Sequence, residues 1–286
     1  VNPSLKSRII FDLKLIKIKN NNDKFIFFGN LGPLFSKFQN SFLFIQNRFL
    51  IDSKSYLKEL DTKNFLRIML ERLWLKVSIK NVSKFIVQTY TMKKLLIKNF
   101  KINENDIIIK TFHSNISSNI KHKKTKYIDC LVITSLEKHK NIDNLISALI
   151  ILSYEYNFRP KLKFVIGGSG KENTKIQNLS NLITKYKLNI SLSFSKNHSY
   201  VMDTLKSSKS LLFVSKLESL GLPLLEARSL NIPVIAPELD FVRDIVNPHQ
   251  TFDPNSPISI SRSIMRFFKI KHDFNMNNNF DEIFYD

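Results

Sequence analysis

Short apolar runs rich in β-branched and aromatic residues recur along this chain, each followed by a longer stretch with apolar positions at helical spacing. Runs that are apolar on both faces belong inside a parallel sheet, and the intervening helices are what cover such a sheet. The predicted fold class is therefore α/β. Residues 24–28 lead into Gly29 and Gly32, and 41–45 lead into Gln46 and Asn47, both as strand then loop. A strand at 85–89, a helix at 92–100 and a strand at 106–109 follow, and the polar, lysine-rich segment 113–126 reads as a linker. Beyond it, strands at 128–133, 162–166, 190–194, 211–215 and 232–236 alternate with helices at 141–157, 172–187, 199–208 and 223–230. The segment after Pro257 holds one amphipathic stretch, 258–268, and an asparagine-rich end.

The second half is thus expected to be a Rossmann-like domain that binds its ligand at the carboxyl ends of its strands. One segment stands at such an end. Glu218 to Ala227, ESLGLPLLEA, lies between the apolar runs 211–214 and 232–235 and carries two carboxylates with seven residues between them. Pro223 suits a helix start and Gly221 lets backbone amides approach a ligand. Free amides at a helix N-terminus favour an anion, whereas carboxylates beside that anion call for hydroxyls. A ligand with both is a nucleotide or a nucleotide sugar. Taken singly, either glutamate also reads as a surface residue complementing a helix dipole.

The 286 residues allow two domains, and a 43% hydrophobic content is that of a folded chain. No uninterrupted apolar run approaches the roughly 20 residues that cross a bilayer, and the start lacks a signal-peptide core. A cytoplasmic protein is expected, peripheral on the membrane at most. The lone Cys130 sits in an apolar run and reads as a core residue, with no cysteine metal cluster. Charge is uneven: 24 basic and 8 acidic residues occupy 1–125, against 20 and 16 in the remainder. Such a basic half suggests an anionic partner, or only lysine-rich solvated positions. The helix read at 64–80 sharpens the question. Leu66, Met69, Leu70, Leu73 and Val77 form a stripe with Arg67, Glu71 and Ser78 opposite. With Arg67, Arg72, Lys76, Lys80 and Trp74 this helix could lie on an anionic membrane, or its stripe could pack on strand 84–88.

The sequence resembles glycosyltransferase family 4, of the GT-B fold, in which two Rossmann-like domains face each other across a cleft. The likeness rests on FVSKLESLGLPLLEARSLNIPVIA, with EKHKNIDNLISAL, FVIGGSG and SKFIVQTYTMKKLLIKNF in order around it, and covers about 84–255. It implies an acceptor-side domain at 1–122, short or truncated, a donor domain at 123–262, and a tail at 263–286 that could pack back on the first domain. Glu226 is then implied to bind the nucleotide ribose and Glu218 to face the donor sugar. Amides of Ser219, Leu220, Gly221 and Leu222 would meet the diphosphate or sugar, Lys140 would neutralise the leaving diphosphate, and Gly168 and Gly170 would shape the turn beside the nucleotide. Where the family carries an arginine this chain has Ser135, which shifts a share of phosphate neutralisation to Lys138. Gln46 and Asn47 stand where many members have a histidine, and are the acceptor-side candidates.

The resemblance implies a retaining transferase that takes a sugar from a nucleoside diphosphate to a saccharide or lipid-linked saccharide, as in bacterial surface-polysaccharide or lipopolysaccharide assembly. It needs no cofactor and no metal, and the chain has no Asp-x-Asp segment. No specific nucleic acid partner is implied. The alternatives are another GT-B nucleotide-sugar enzyme of epimerase type, or a non-catalytic basic protein that binds membranes or polyanions.

Overall fold

Parallel pairing runs through every strand contact of the computed structural model, which describes residues 5–18, 20, 23–52, 57–58, 60–111, 127–167, 174–195 and 197–270. In the first half, β1 (Phe25–Phe28), β2 (Ser41–Phe44), β3 (Lys84–Val87) and β4 (Ile107–Ile109) form a four-stranded sheet in sequence order. Its register sets Phe25 beside Ser41, Phe42 beside Lys84 and Phe85 beside Ile107. The helices are α1 (Leu5–Ile18), α2 (Thr62–Ser78) and α3 (Tyr90–Phe100). Side-chain caps fix two of the starts: Asp61 accepts from the Asn64 amide for α2, and Thr89 from the Met92 amide for α3. Leu43, Ile45, Leu50, Leu75, Val87, Met92 and Leu96 are fully buried and make the core of this domain.

Of the two orientations open to α2, the structure turns the stripe outward. Its core side is Ile68, Leu75 and Ser78, whereas Leu66, Leu70, Leu73 and Val77 are each at least half exposed. Periodicity marks an apolar face without saying which side meets the sheet, and here Ser78, opposite the stripe, is buried. Helix α1 was not expected from the sequence. Its apolar residues surround the axis, so no face stands out.

In the second half, β5 (Ile128–Thr134), β6 (Leu162–Ile166), β7 (Ile190–Phe194), β8 (Ser208–Leu212), β9 (Val234–Pro237) and β10 (Gln250–Phe252) form a six-stranded sheet in the order β10-β9-β8-β5-β6-β7. This is the dinucleotide-fold order, with its topological switch between β5 and β8. Helices α4 (Ile142–Glu155), α5 (Thr174–Lys185), α6 (His198–Lys206), α7 (Leu222–Ser229), α8 (Asp240–Arg243) and α9 (Pro257–Phe268) complete it. Strand β8 begins earlier than its apolar run because the buried Ser208 and Ser210 hydroxyls donate to the Thr204 and Asp129 carbonyls, which removes the cost of burying them. Residues 257–268 pack on the second domain: Ile260, Ile264 and Met265 join the α4 core, and Phe268 lies 5.6 Å from Phe158. The first part of the expected tail therefore packs on the second domain; residues 271–286, like the linker at 113–126, lie outside the described residues.

Candidate active site

The switch point between β5 and β8 is where the candidate residues meet. After β8 the chain turns through Ser215, whose hydroxyl donates to the His139 carbonyl at 3.2 Å, and Lys216, whose amide donates to the same oxygen at 2.8 Å. This ties the loop after β8 to the Lys138–Lys140 turn after β5. Glu218 and Lys140, 78 residues apart, are thereby brought together as an ion pair, Nζ to Oε1 2.5 Å, with side chains only 19% and 22% exposed. Gly221 caps α7 at φ 74°, ψ 62°, and Pro223 is the second helical residue, where its missing N–H costs nothing.

A cavity of about 500 Å³ opens at this point. Lys140, Glu218, Ser219, Leu220, Gly221 and Leu222 line it from the second domain, and Gln46 and Gln88 from the first. That volume suits a small-molecule ligand, and the mixture of apolar strand ends with a few convergent polar groups is typical of such sites. An adjoining hollow of about 330 Å³ holds Gln46, Asn47, Arg48, His139 and Glu218. Asn47 caps the short turn Arg48–Leu50 by accepting from the Phe49 amide. Asn30, at φ 72°, accepts from the Gln46 and Asn47 amides at 2.6 and 2.8 Å, so it fixes the loop that carries both.

Glu226 lies one turn further along α7 and is not part of the cavity lining. Burial pushes its carboxyl above the ordinary range, an effect that His198 partly offsets by bonding Oε1 through Nε2 at 2.9 Å. Lys138 faces a different hollow, beside Asp143 and Lys175. Ser135, in the arginine position, bonds the Glu137 carboxylate. Gly168 and Gly170 lie outside the described residues.

Sequence reading missed several residues that build the site. Arg48 spans the domains: it pairs with Asp52 at 2.6 Å, donates to the Glu218 carbonyl at 3.3 Å, and sets its guanidinium 5.3 Å from the Phe241 ring centre. Thr89 donates to the Ser219 carbonyl at 3.3 Å, and the Asp244 carboxylate accepts from the Thr91 amide at the N-terminus of α3 at 2.6 Å. Gln88 alone had a usable signal, since it follows a parallel strand at its carboxyl end. The others act across domains, where spacing along the chain says nothing.

The sequence profile described as glycosyl transferases group 1 matches residues 114–284. The chain belongs to this family. No curated protein matches it in sequence. Among solved structures, this glycosyltransferase chain is similar to a sucrose-phosphate synthase from Thermosynechococcus elongatus, with 15% identity and a TM-score of 0.60 over 81% of this chain and 59% of that one. It is also similar to Anabaena HepE in complex with UDP, with 13% identity and a TM-score of 0.60 over 93% and 67%. The lipopolysaccharide outer core galactosyltransferase WaaB matches with 14% identity and a TM-score of 0.56 over 95% and 74%. At such identities the likeness shows the fold, which is GT-B: two Rossmann-like domains across a cleft. The chain spans 59% of the first of these structures and 44% of a TarM structure that it also matches.

Proposed function

We propose that this chain transfers a sugar from a nucleoside diphosphate to the hydroxyl of a saccharide or lipid-linked saccharide, as a family 4 enzyme that retains anomeric configuration and uses no metal. The observation that carries the proposal is the Lys140–Glu218 pair beside the N-terminus of α7, in one cavity at the switch point of the second sheet. An ammonium and free helix amides suit a departing diphosphate, and a carboxylate beside them suits the hydroxyls of the sugar it leaves behind.

In this reading, the bond between the sugar C1 and the diphosphate oxygen breaks, and the electron pair leaves with the diphosphate, whose charge Lys140 and the amides of Ser219 to Leu222 stabilise. The acceptor oxygen bonds to C1 and its proton passes to the departing phosphate. Glu218, held on its backbone side by Arg48, orients the sugar. Glu226 exchanges its bond to His198 for the ribose hydroxyls. Gln46 and Asn47 face from the acceptor side as hydrogen-bonding amides, not as bases. The complexes of HepE, TarM and the pneumococcal transferase GtfA with UDP support uridine as the base. The match to WaaB, a lipopolysaccharide outer core galactosyltransferase, supports a role in surface-polysaccharide assembly.

A transfer assay with UDP-sugars and a panel of saccharide and lipid-linked acceptors tests this. The expected product keeps the anomeric configuration of the donor and forms equally in the presence of a chelator. Free sugar or a rearranged donor as the only product, whatever the acceptor, would contradict it and favour an epimerase-type activity.

A further inference from the structure

The stripe that α2 turns outward is a surface in its own right. Leu66, Leu70, Leu73 and Val77 are 59%, 52%, 58% and 50% exposed, and their i, i+4, i+7, i+11 spacing sets them in one line along the helix. At 100° per residue, Lys63 and Arg67 fall on one flank of that line and Lys76 on the other, with Lys80 continuing past the C-terminus; all four are exposed. The one acidic residue of the helix, Glu71, lies toward the far side, with its carboxylate 4.0 Å from Arg67.

Helix α1 is tied to the same segment as α2. Asp12 accepts from the Leu34 amide at 2.9 Å and Arg8 donates to the Gly29 carbonyl at 3.4 Å, while Trp74 of α2 donates to the Gly32 carbonyl at 2.8 Å. Both helices are thus moored to the 29–34 segment. Phe11 and Leu13 on α1 and Phe35 beside that segment are 57%, 48% and 53% exposed.

We propose that this face of the first domain docks on an anionic lipid bilayer, with the leucine stripe among the acyl chains and the flanking lysines and arginine among the headgroups. A line of apolar side chains between basic flanks is the pattern of an interfacial helix, and the excess of basic residues in this half supplies the long-range attraction. A second copy of the chain fits less well. It would cover the leucines but set basic flank against basic flank, with Glu71 the only acidic side chain on the helix. The inference is independent of what the donor cavity holds.

The chain's single tryptophan is Trp74, on α2 itself, so its emission reports on this helix alone. Phosphatidylcholine vesicles with and without phosphatidylglycerol, and with brominated acyl chains as quenchers, are the probes. The full chain is expected to float with the anionic vesicles and not the neutral ones, and Trp74 to be quenched. Partitioning falls by about tenfold or more in Leu70→Ser/Leu73→Ser and again in Lys63→Glu/Lys76→Glu. All these side chains are solvent-exposed, so thermal unfolding of both variants should match the parent, and two independent pairs guard against a change in folding. Absence of flotation by the parent chain overturns the proposal, as does undiminished flotation of both variants. Loss of a dimer on light scattering in the leucine variant, with no vesicle binding by the parent, would assign the stripe to a second copy.

Discussion

Replacing Gly221 by alanine tests whether the loop before α7 is built as described. The residue is held at φ 74°, and a methyl group there would lie 3.1 Å from Leu224 Cδ1 and 3.7 Å from Phe213 Cζ. The left-handed conformation costs an L-residue roughly 1–2 kcal/mol. Leu224 is fully buried and has little room to yield, so crowding adds about 1 kcal/mol. The expected loss is about 2–3 kcal/mol, or on the order of 5–10 °C in thermal midpoint for a domain of this size. Gly167→Ala is the control: at the end of β6, its added Cβ would meet nothing nearer than the Thr134 carbonyl at 4.0 Å, so its effect should stay within about 0.5 kcal/mol. Calorimetry or circular dichroism on both variants reads the difference. The Gly221 variant should also lose stabilisation by UDP, because the loop amides move. If it melts with the control, the left-handed turn does not shape the loop and the argument for its amides fails.

Three further outcomes follow from the same geometry. Lys140→Met should lower the turnover number by about 10²–10³, the usual cost of losing one preorganised charge at a developing anion, with a smaller change in KM; an equal loss in Glu218→Gln alone would not distinguish the roles, but unchanged turnover in Lys140→Met removes the lysine from the chemistry. Because burial raises the Glu226 carboxyl above the ordinary 4.5, donor affinity should fall as pH drops and begin to fall above that value, since the protonated acid loses acceptor capacity toward ribose hydroxyls. Calorimetric titration of UDP against pH checks this, and Glu226→Gln should flatten that limb. Burial pushes the Cys130 thiol up to about 12, so the native protein should not react with a thiol reagent at mildly alkaline pH, while the unfolded chain should take up one equivalent.

The legibility of this sequence followed what is local. Apolar runs and helical spacing gave the strands and the order of elements around ESLGLPLLEA, because a buried parallel strand and a covering helix leave their periods in the chain. Strand β10 and the one-turn helix α8 were lost, being too short to show a period. The start of β8 was hidden by two serines whose burial depends on carbonyls elsewhere. The direction of the α2 stripe stayed open for a different reason: an apolar face is a property of the helix, but the side it presents is a property of the fold. In the site, Lys140 and Glu218 were nameable separately through motif context, yet their pairing, the grip of Arg48 on the Glu218 carbonyl and the Asp244 contact to α3 join segments that only tertiary structure brings together. His198, at the start of α6, carried no signal until Glu226 was seen beside it.

The central claim is that a nucleoside diphosphate sugar binds at the switch point with Glu226 on its ribose. Thermal unfolding of the parent chain and of Glu226→Ala, each with UDP, UDP-sugars and GDP-sugars, tests it directly. A donor present at about a hundred times its dissociation constant stabilises the folded state by about 2.7 kcal/mol. That stabilisation is expected for a uridine donor in the parent, with most of it lost in Glu226→Ala. No shift with any nucleotide sugar, or an equal shift in the variant, would contradict it.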